Sequence, residues 1–275
     1  MPFEVRRAEG PEIPVVVEVP HAGLSIDPLA MATLDAPARS VGMDADLYVD
    51  QLYVDAPRLG AHLLLAQMSR YVVDLNRGEH DIDGQAVAGA SSSNFPHGLI
   101  WRRTTEGRPA LTAPLTRGEF ERRLDEIYRP YHRALQALLD EKRARFGFVI
   151  LLAAHSMPSS GRAGHRDTGN ERAAIVPGSR GRTSAHPEVI DCPDRLAQAR
   201  GWSVTHDEPY RGGFTTAHYG QPQRHQHAVQ VELNRNLYMD EITLEPRRGA
   251  FEQTRQYCVE LVTALGTIDL RPSSI

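Results

Sequence analysis

The chain has 275 residues, a formal charge of −4, thirty arginines, one lysine, twelve histidines and two cysteines. Lys142 sits in a polar stretch that reads as an exposed helix end, which argues against Schiff-base chemistry from a desolvated lysine. Cys192 and Cys258 are too few and too far apart for a thiolate zinc cage or a CxxC redox pair, and their scarcity fits a reducing cytoplasm.

At 41% hydrophobic and 24% charged, the composition is that of an ordinary globular protein, and the slight negative charge offers no basic footprint for nucleic acid. No apolar run approaches the roughly 18 residues that span a bilayer. The first ten residues lack the apolar region of a secretion signal. With no internal repeat and no linker between two cores, residues 1–275 read as a single α/β domain.

In chain order, PVVVEVP at 14–20 is a proline-bounded β-branched run that predicts a strand, ending in a His21-Ala22-Gly23 turn. Residues 44–59 carry Leu47, Tyr48, Leu52, Tyr53 and Ala56 at helical spacing, with Asp44 as N-cap. Residues 62–66 and 71–75 are short apolar runs that predict strands. Residues 78–98 show no period and read as a surface loop or lid. The clearest helix is 116–145: Thr116 and Glu119 have capping-box spacing, Phe120, Leu124, Ile127, Tyr131, Leu135 and Leu138 recur every three or four residues, and Gly147 ends it. FVILLAA at 148–154 predicts a fully buried central strand that runs into His155-Ser156. Residues 157–187 read as loop, 193–200 as helix, and 228–233 as a strand with Gln230 and Glu232 on one polar face. An amphipathic helix at 249–266 closes the chain, with Cys258 on its apolar stripe as a buried free thiol.

His21 and His155 each stand just past an apolar strand, where ligands bind in open α/β sheets. Two histidines and a carboxylate are a common metal set in hydrolases. The nearest acids after His21 are Asp44, Asp46 and Asp50. Asp46 is the preferred ligand, with Asp50, four residues on, as the group that orients a histidine. Glu232, a carboxylate projecting from a strand into a crevice, is the candidate general base. Asn76-Arg77 closes the run SRYVVDLNR, and an arginine fork there suits a substrate carboxylate. Arg70 is either a second clamp or the partner that neutralises Asp74. Ser156 directly follows a histidine, and neighbours on an extended chain point apart, so His155 is badly placed to deprotonate it as a nucleophile; no GxSxG, HExxH, GxGxxG or P-loop signature is present. His225 and His227 read as solvent-facing rather than as further metal ligands.

The motifs VPHAG (19–23), DADLYVDQLY (44–53), SRYVVDLNR (69–77), AAHSMPS (153–159), PYRGGFTTAHYG (209–220) and HAVQVELNRNLYMDE (227–241) resemble, in order, those of N-formylglutamate amidohydrolases. That family is similar in fold to zinc carboxypeptidases and aspartoacylases. The resemblance implies a three-layer α/β/α sandwich around a mixed, mostly parallel sheet. It implies one zinc held by His21, Asp46 and His155, a general base at Glu232, a carboxylate-binding pair at Asn76 and Arg77, and help from Arg70 at the oxyanion. The implied reaction is removal of formate from N-formyl-L-glutamate in histidine degradation. The chain departs from the pattern in having no HxxE after His21, Ala217 in place of an arginine, and few acids in 173–184. These changes leave open a zinc amidase for another N-acyl amino acid or peptide. A non-catalytic amino-acid-binding protein on the same fold is the reading from another class.

Overall fold

The computed structural model describes residues 1–90, 94–162 and 167–271. Six strands make one sheet: β1 (Phe3–Arg6), β2 (Val15–Val19), β3 (His62–Ala66), β4 (Val149–Met157), β5 (Ile175–Gly178) and β6 (Gln226–Asn234). Their order is β1-β3-β2-β4-β6-β5. The inner strands β3, β2, β4 and β6 are parallel, and the edge strands β1 and β5 run antiparallel to their neighbours. This is the mixed, mostly parallel sheet that the family resemblance implies. Every residue of β2, β3, β4 and β6 is buried, as strands covered on both faces must be.

The helices are α1 (Pro28–Met31), α2 (Ala38–Asp44), α3 (Val49–Leu52), α4 (Arg117–Arg123), α5 (Arg129–Phe146), α6 (Pro187–Gln198), α7 (Phe214–Tyr219) and α8 (Ala250–Thr267). On one face of the sheet, Val15, Val17, Ile150, Leu152, Val229 and Val231 pack against α3, α6 and α8 through residues such as Leu52, Ile190 and Leu261. On the other, Val16, Leu64, Leu151 and Ala228 meet α5 and α7 through Tyr131, Leu135 and Tyr219. Alternate side chains of each strand therefore feed two cores, giving three layers.

The long helix predicted at 116–145 is present, capped by Thr116, whose side chain accepts from the Glu119 N–H at 3.2 Å, and ended by Gly147 at φ 82°. A π-helical turn, Leu124–Tyr128, joins α4 to α5 and brings the Tyr128 hydroxyl to the Arg77 carbonyl at 2.8 Å. Lys142 is not exposed. It is fully buried, paired with Glu12 at 2.8 Å and donating to the Gly60 carbonyl.

Other expectations are corrected. Residues 44–59 do not form one helix. Asp44 ends α2 instead of capping a new helix, Tyr48 takes φ 66°, α3 is a single turn, and Pro57 disfavours helix at Ala56. Residues 71–75 form turns, not a strand, because Ser69 Oγ and Asp74 Oδ1 accept backbone N–H groups of Tyr71 and Asn76 that a ladder would otherwise use. The supposed loop 157–187 contains β5. Helix α6 begins at Pro187, on a His186 cap, and merely contains Pro193. The described part of 78–98 is a loop, as read from the sequence, anchored where Ala86 and Val87 are buried and where the Asp83 carboxylate gathers the N–H groups of Gln85 and Phe95; residues 91–93 lie outside the described residues.

Candidate metal centre and active site

The carboxyl ends of the parallel strands share one edge of the sheet, and a cavity of about 420 Å³ opens there. His21 lies two residues beyond β2. Its turn needs glycine: a Cβ at Gly23 would stand 2.4 Å from the Gln67 carbonyl carbon. His155 lies near the end of β4, and Glu232 is its register partner on β6, so both side chains leave the same face. Asp46 follows α2, and its N–H donates to the His21 carbonyl at 3.0 Å, which ties two candidate ligand segments together directly.

These placements bring His21, Asp46 and His155 together, with one donor atom from each within 4.8 Å of the others. Asp46 Oδ2 is 3.6 Å from His21 Nδ1 and 3.0 Å from His155 Nδ1. The remaining Asp46 oxygen is held by Arg235 Nη2 at 3.1 Å. His21 Nε2 faces Asp74 Oδ1 at 2.8 Å. A ring nitrogen tied to a carboxylate, with the other turned to its fellow ligands, is the usual arrangement of a metal-binding histidine, and the donor set fits a divalent cation. All three residues are buried. Burial alone would raise the Asp46 pKa, but the hydrogen bonds and charges of His155 and His21 hold it well below the ordinary carboxylate value.

Glu232 is also buried, and it differs from Asp46 in the direction of its shift. Desolvation, with the Asp46 charge nearby, raises its pKa despite the opposing His155. Two carboxyls in one site, pushed apart in this way, divide into a ligand and a proton carrier. Gln230 donates to Glu232 Oε1 at 2.8 Å.

Arg70 pairs with Asp74 at 2.9 Å and stacks over Trp101, so the partner role applies, yet it also lines the cavity. Arg162, Arg172 and Arg235 line it too, each paired with an aspartate: Asp44, Asp167 and Asp46 respectively. Arg77 is different. It gives Nε to the His97 carbonyl at 2.8 Å and Nη1 to the Asn76 carbonyl at 3.1 Å, and no carboxylate among the described residues pairs with it. The Asn76 amide is engaged within the protein. Its Oδ1 accepts from the Thr215 N–H at 3.0 Å, and its Nδ2 lies 3.3 Å from both Gln230 Oε1 and His155 Nε2.

Asp50 does not orient a histidine. It is half-buried beside Ala22, Gly23 and Gln67, away from the cavity, and Asp74 does that work instead. Asp44 is also excluded as a ligand, since Tyr71, Thr105 and Arg162 occupy its oxygens. His225 is exposed as expected, but His227 is buried, with Nδ1 accepting from the His186 N–H. Arg235 and Tyr210 line the cavity as well, without having stood out in the sequence. Arg235 carries the same Asn-Arg signal as Arg77, in the run ELNRN, so the cue existed.

A sequence model of N-formylglutamate amidohydrolase matches residues 13–239. The chain belongs to the N-formylglutamate amidohydrolase family. It is 36% identical to an N-formylglutamate deformylase of Pseudomonas putida and 34% identical to one of Pseudomonas aeruginosa, with 92% of each chain covered in both comparisons. The crystal structure of an N-formylglutamate amidohydrolase from Ralstonia eutropha JMP134 superposes with a TM-score of 0.87 at 30% identity, covering 96% of this chain and 97% of that one. As a member of this family the chain is a hydrolase of amide bonds, and the strand-end cavity is where its candidate machinery collects.

Proposed function

We propose that this family member hydrolyses N-formyl-L-glutamate to formate and L-glutamate. The observation that carries the reading is the cavity itself: a His21–Asp46–His155 cation site and the buried Glu232 face a wall on which Arg77 has no carboxylate partner among the described residues. A divalent ion, zinc in our reading, when bound there supplies Lewis-acid polarisation of the formyl carbonyl and acidification of water. Glu232 takes the proton of the attacking water and delivers it to the glutamate nitrogen as the C–N bond breaks. Arg70, fixed by Asp74, faces the negative charge that develops on the formyl oxygen. Arg77 receives a substrate carboxylate, and Asn76 shapes the wall beside it.

The rest of the reading follows from this one. Residues 1–275 act as one hydrolase domain on a small N-acyl amino acid, with neither nucleic acid nor membrane as partner. No helix among the described residues is long and apolar enough to cross a membrane. The buried free thiols Cys192 and Cys258 support a cytoplasmic setting.

The test is formate release from N-formyl-L-glutamate, with and without chelator, alongside N-acetyl and N-succinyl amino acids. Chelator-sensitive turnover that favours the N-formyl substrate is expected. Preference for another acyl group overturns the substrate, and full turnover after complete metal removal overturns the metal.

A further inference from the structure

The Arg235 guanidinium is buried beside the candidate metal ligands and outside the steps assigned to Glu232, Arg70 and Arg77. Its place follows from the end of β6. The strand stops at Asn234, whose side chain accepts the Asn236 N–H at 3.0 Å and starts a tight 3₁₀ turn, Arg235–Leu237. Tyr238, just beyond, donates its hydroxyl to the Leu47 carbonyl at 3.0 Å, which ties that turn to the segment carrying Asp46.

All three nitrogens of the guanidinium are engaged. Nε donates to Ser156 Oγ at 3.1 Å, Nη1 to the Met43 carbonyl at 2.6 Å and Nη2 to Asp46 Oδ1 at 3.1 Å. These acceptors come from the end of β4, from α2 and from the loop that follows α2. A planar fork fixed at three points has one orientation.

Asp46 is held less completely. Its N–H is fixed on the His21 carbonyl, but rotation of a carboxylate about its last bond is soft and roughly two-fold. Oδ2 lies 3.0 Å from His155 Nδ1 and 3.6 Å from His21 Nδ1. Oδ1 has Arg235 as its one hydrogen-bond partner among the described residues. This charge-assisted bond is what makes two chemically identical oxygens unlike: one belongs to the cation site and the other does not.

We infer that Arg235 is a positioning residue: by holding Oδ1 it restricts Asp46 to a single ligand oxygen and keeps one coordination position open for water and substrate. A hydrolytic metal site needs that position, because three protein donors leave the fourth for water. Without Arg235, both oxygens of Asp46 can turn to the cation and fill it. This inference rests on the assignment of His21, Asp46 and His155 as ligands.

The test uses cobalt(II), since zinc has a filled d shell and no visible bands, whereas those of cobalt weaken as its coordination number rises. Parent and Arg235→Met are stripped with chelator, reloaded with cobalt(II), and compared by metal analysis, visible absorption and formate release. Both are expected to hold one cobalt ion. Arg235→Met is expected to show weaker bands and a kcat lower by about tenfold or more, with KM changed far less. Lysine keeps the charge without the planar fork, so Arg235→Lys carries the same expectation and decides if Arg235→Met does not fold. Parental bands or parental kcat in these variants, or loss of their cobalt altogether, overturns the inference. A parent that takes up no cobalt instead breaks the ligand assignment and the inference with it, which separates that failure from one confined to Arg235.

Discussion

His21 Nε2 and Asp74 Oδ1 are 2.8 Å apart, and both side chains are buried. The bond favours a proton on Nε2, so that with a cation in the site Nδ1, which is directed at Asp46 and His155, would be the lone-pair nitrogen. Asp74 itself is held ionised: burial opposes this, but Arg70, His21 and Arg77 together bring its pKa well below the ordinary value. Replacing Asp74 by asparagine removes the charge that fixes this tautomer. Metal affinity is expected to fall by about 10–100-fold, the usual cost of losing such a partner. Competition against a chelator of known affinity measures it, and parental affinity in Asp74→Asn would remove Asp74 from this role.

Glu232 is distinguished from Asp46 by chemistry rather than by distance. Its raised pKa suits a group that accepts a proton and returns it, whereas Asp46 has one oxygen held by Arg235 and the other turned to the histidines. Glu232→Gln is expected to keep its metal and lose roughly 10²–10⁴ of turnover, the range for general bases. Metal analysis and single-turnover formate release read the two quantities separately. Loss of metal together with activity would make Glu232 a ligand rather than a base.

Arg77 should act on binding. Its Nε and Nη1 are anchored to carbonyls, and Tyr128 from the π-helical turn holds its own carbonyl. Replacing it with methionine forfeits one charged hydrogen-bonding pair with a substrate carboxylate, ~1.5–3 kcal/mol, or about 10–100-fold in KM. Lysine should not restore the loss, because a point charge does not reproduce the planar fork. Steady-state kinetics on N-formyl-L-glutamate decide, and a KM unchanged in Arg77→Met places the substrate carboxylate elsewhere.

These sites differ in how openly the sequence announces them. His21, His155 and Glu232 are readable because each ends or interrupts an apolar run whose period marks a strand, and strand ends in a parallel sheet share an edge. Asp46 is readable only as one of three acids, since what selects it is the Asp46 N–H to His21 carbonyl bond and the Tyr48 turn, neither of which has a periodic signature. Asp74 was hidden inside VVDLN, an alternation that mimics a strand. Local side-chain bonds from Ser69 and Asp74 override that propensity and turn the segment under the site. Lys142 misled in the opposite way: its neighbours are polar, but Glu12 and Gly60 reach it from distant parts of the chain.

His132 gives a pH dependence of stability that is separate from the chemistry. It is half-buried, with its ring packed among Tyr128, Tyr131 and Tyr219 and bonded through Nδ1 to the Tyr219 hydroxyl at 3.0 Å, and desolvation lowers its pKa to about 3. Unfolding releases an ordinary imidazole that binds a proton below about 6.5. Between these two values the unfolded chain holds more protons than the folded one, so stability falls as pH drops and is fully present above the unfolded pKa. The ceiling is on the order of a few kcal/mol. Asp46 and Asp74 also lose stabilisation in acid, but only near and below the ordinary carboxylate range, and the groups that parent and His132→Phe share drop out when the two are compared. His132→Phe keeps the ring packing and removes the titration, at the cost of about 1 kcal/mol for the lost Tyr219 bond. Denaturant midpoints of the two chelator-treated proteins should therefore converge as pH falls from about 7 and cross before about pH 5, with the variant less stable at the upper end and more stable at the lower. Parallel pH slopes for parent and variant would show that His132 titrates alike in both states, and the burial argument would fail.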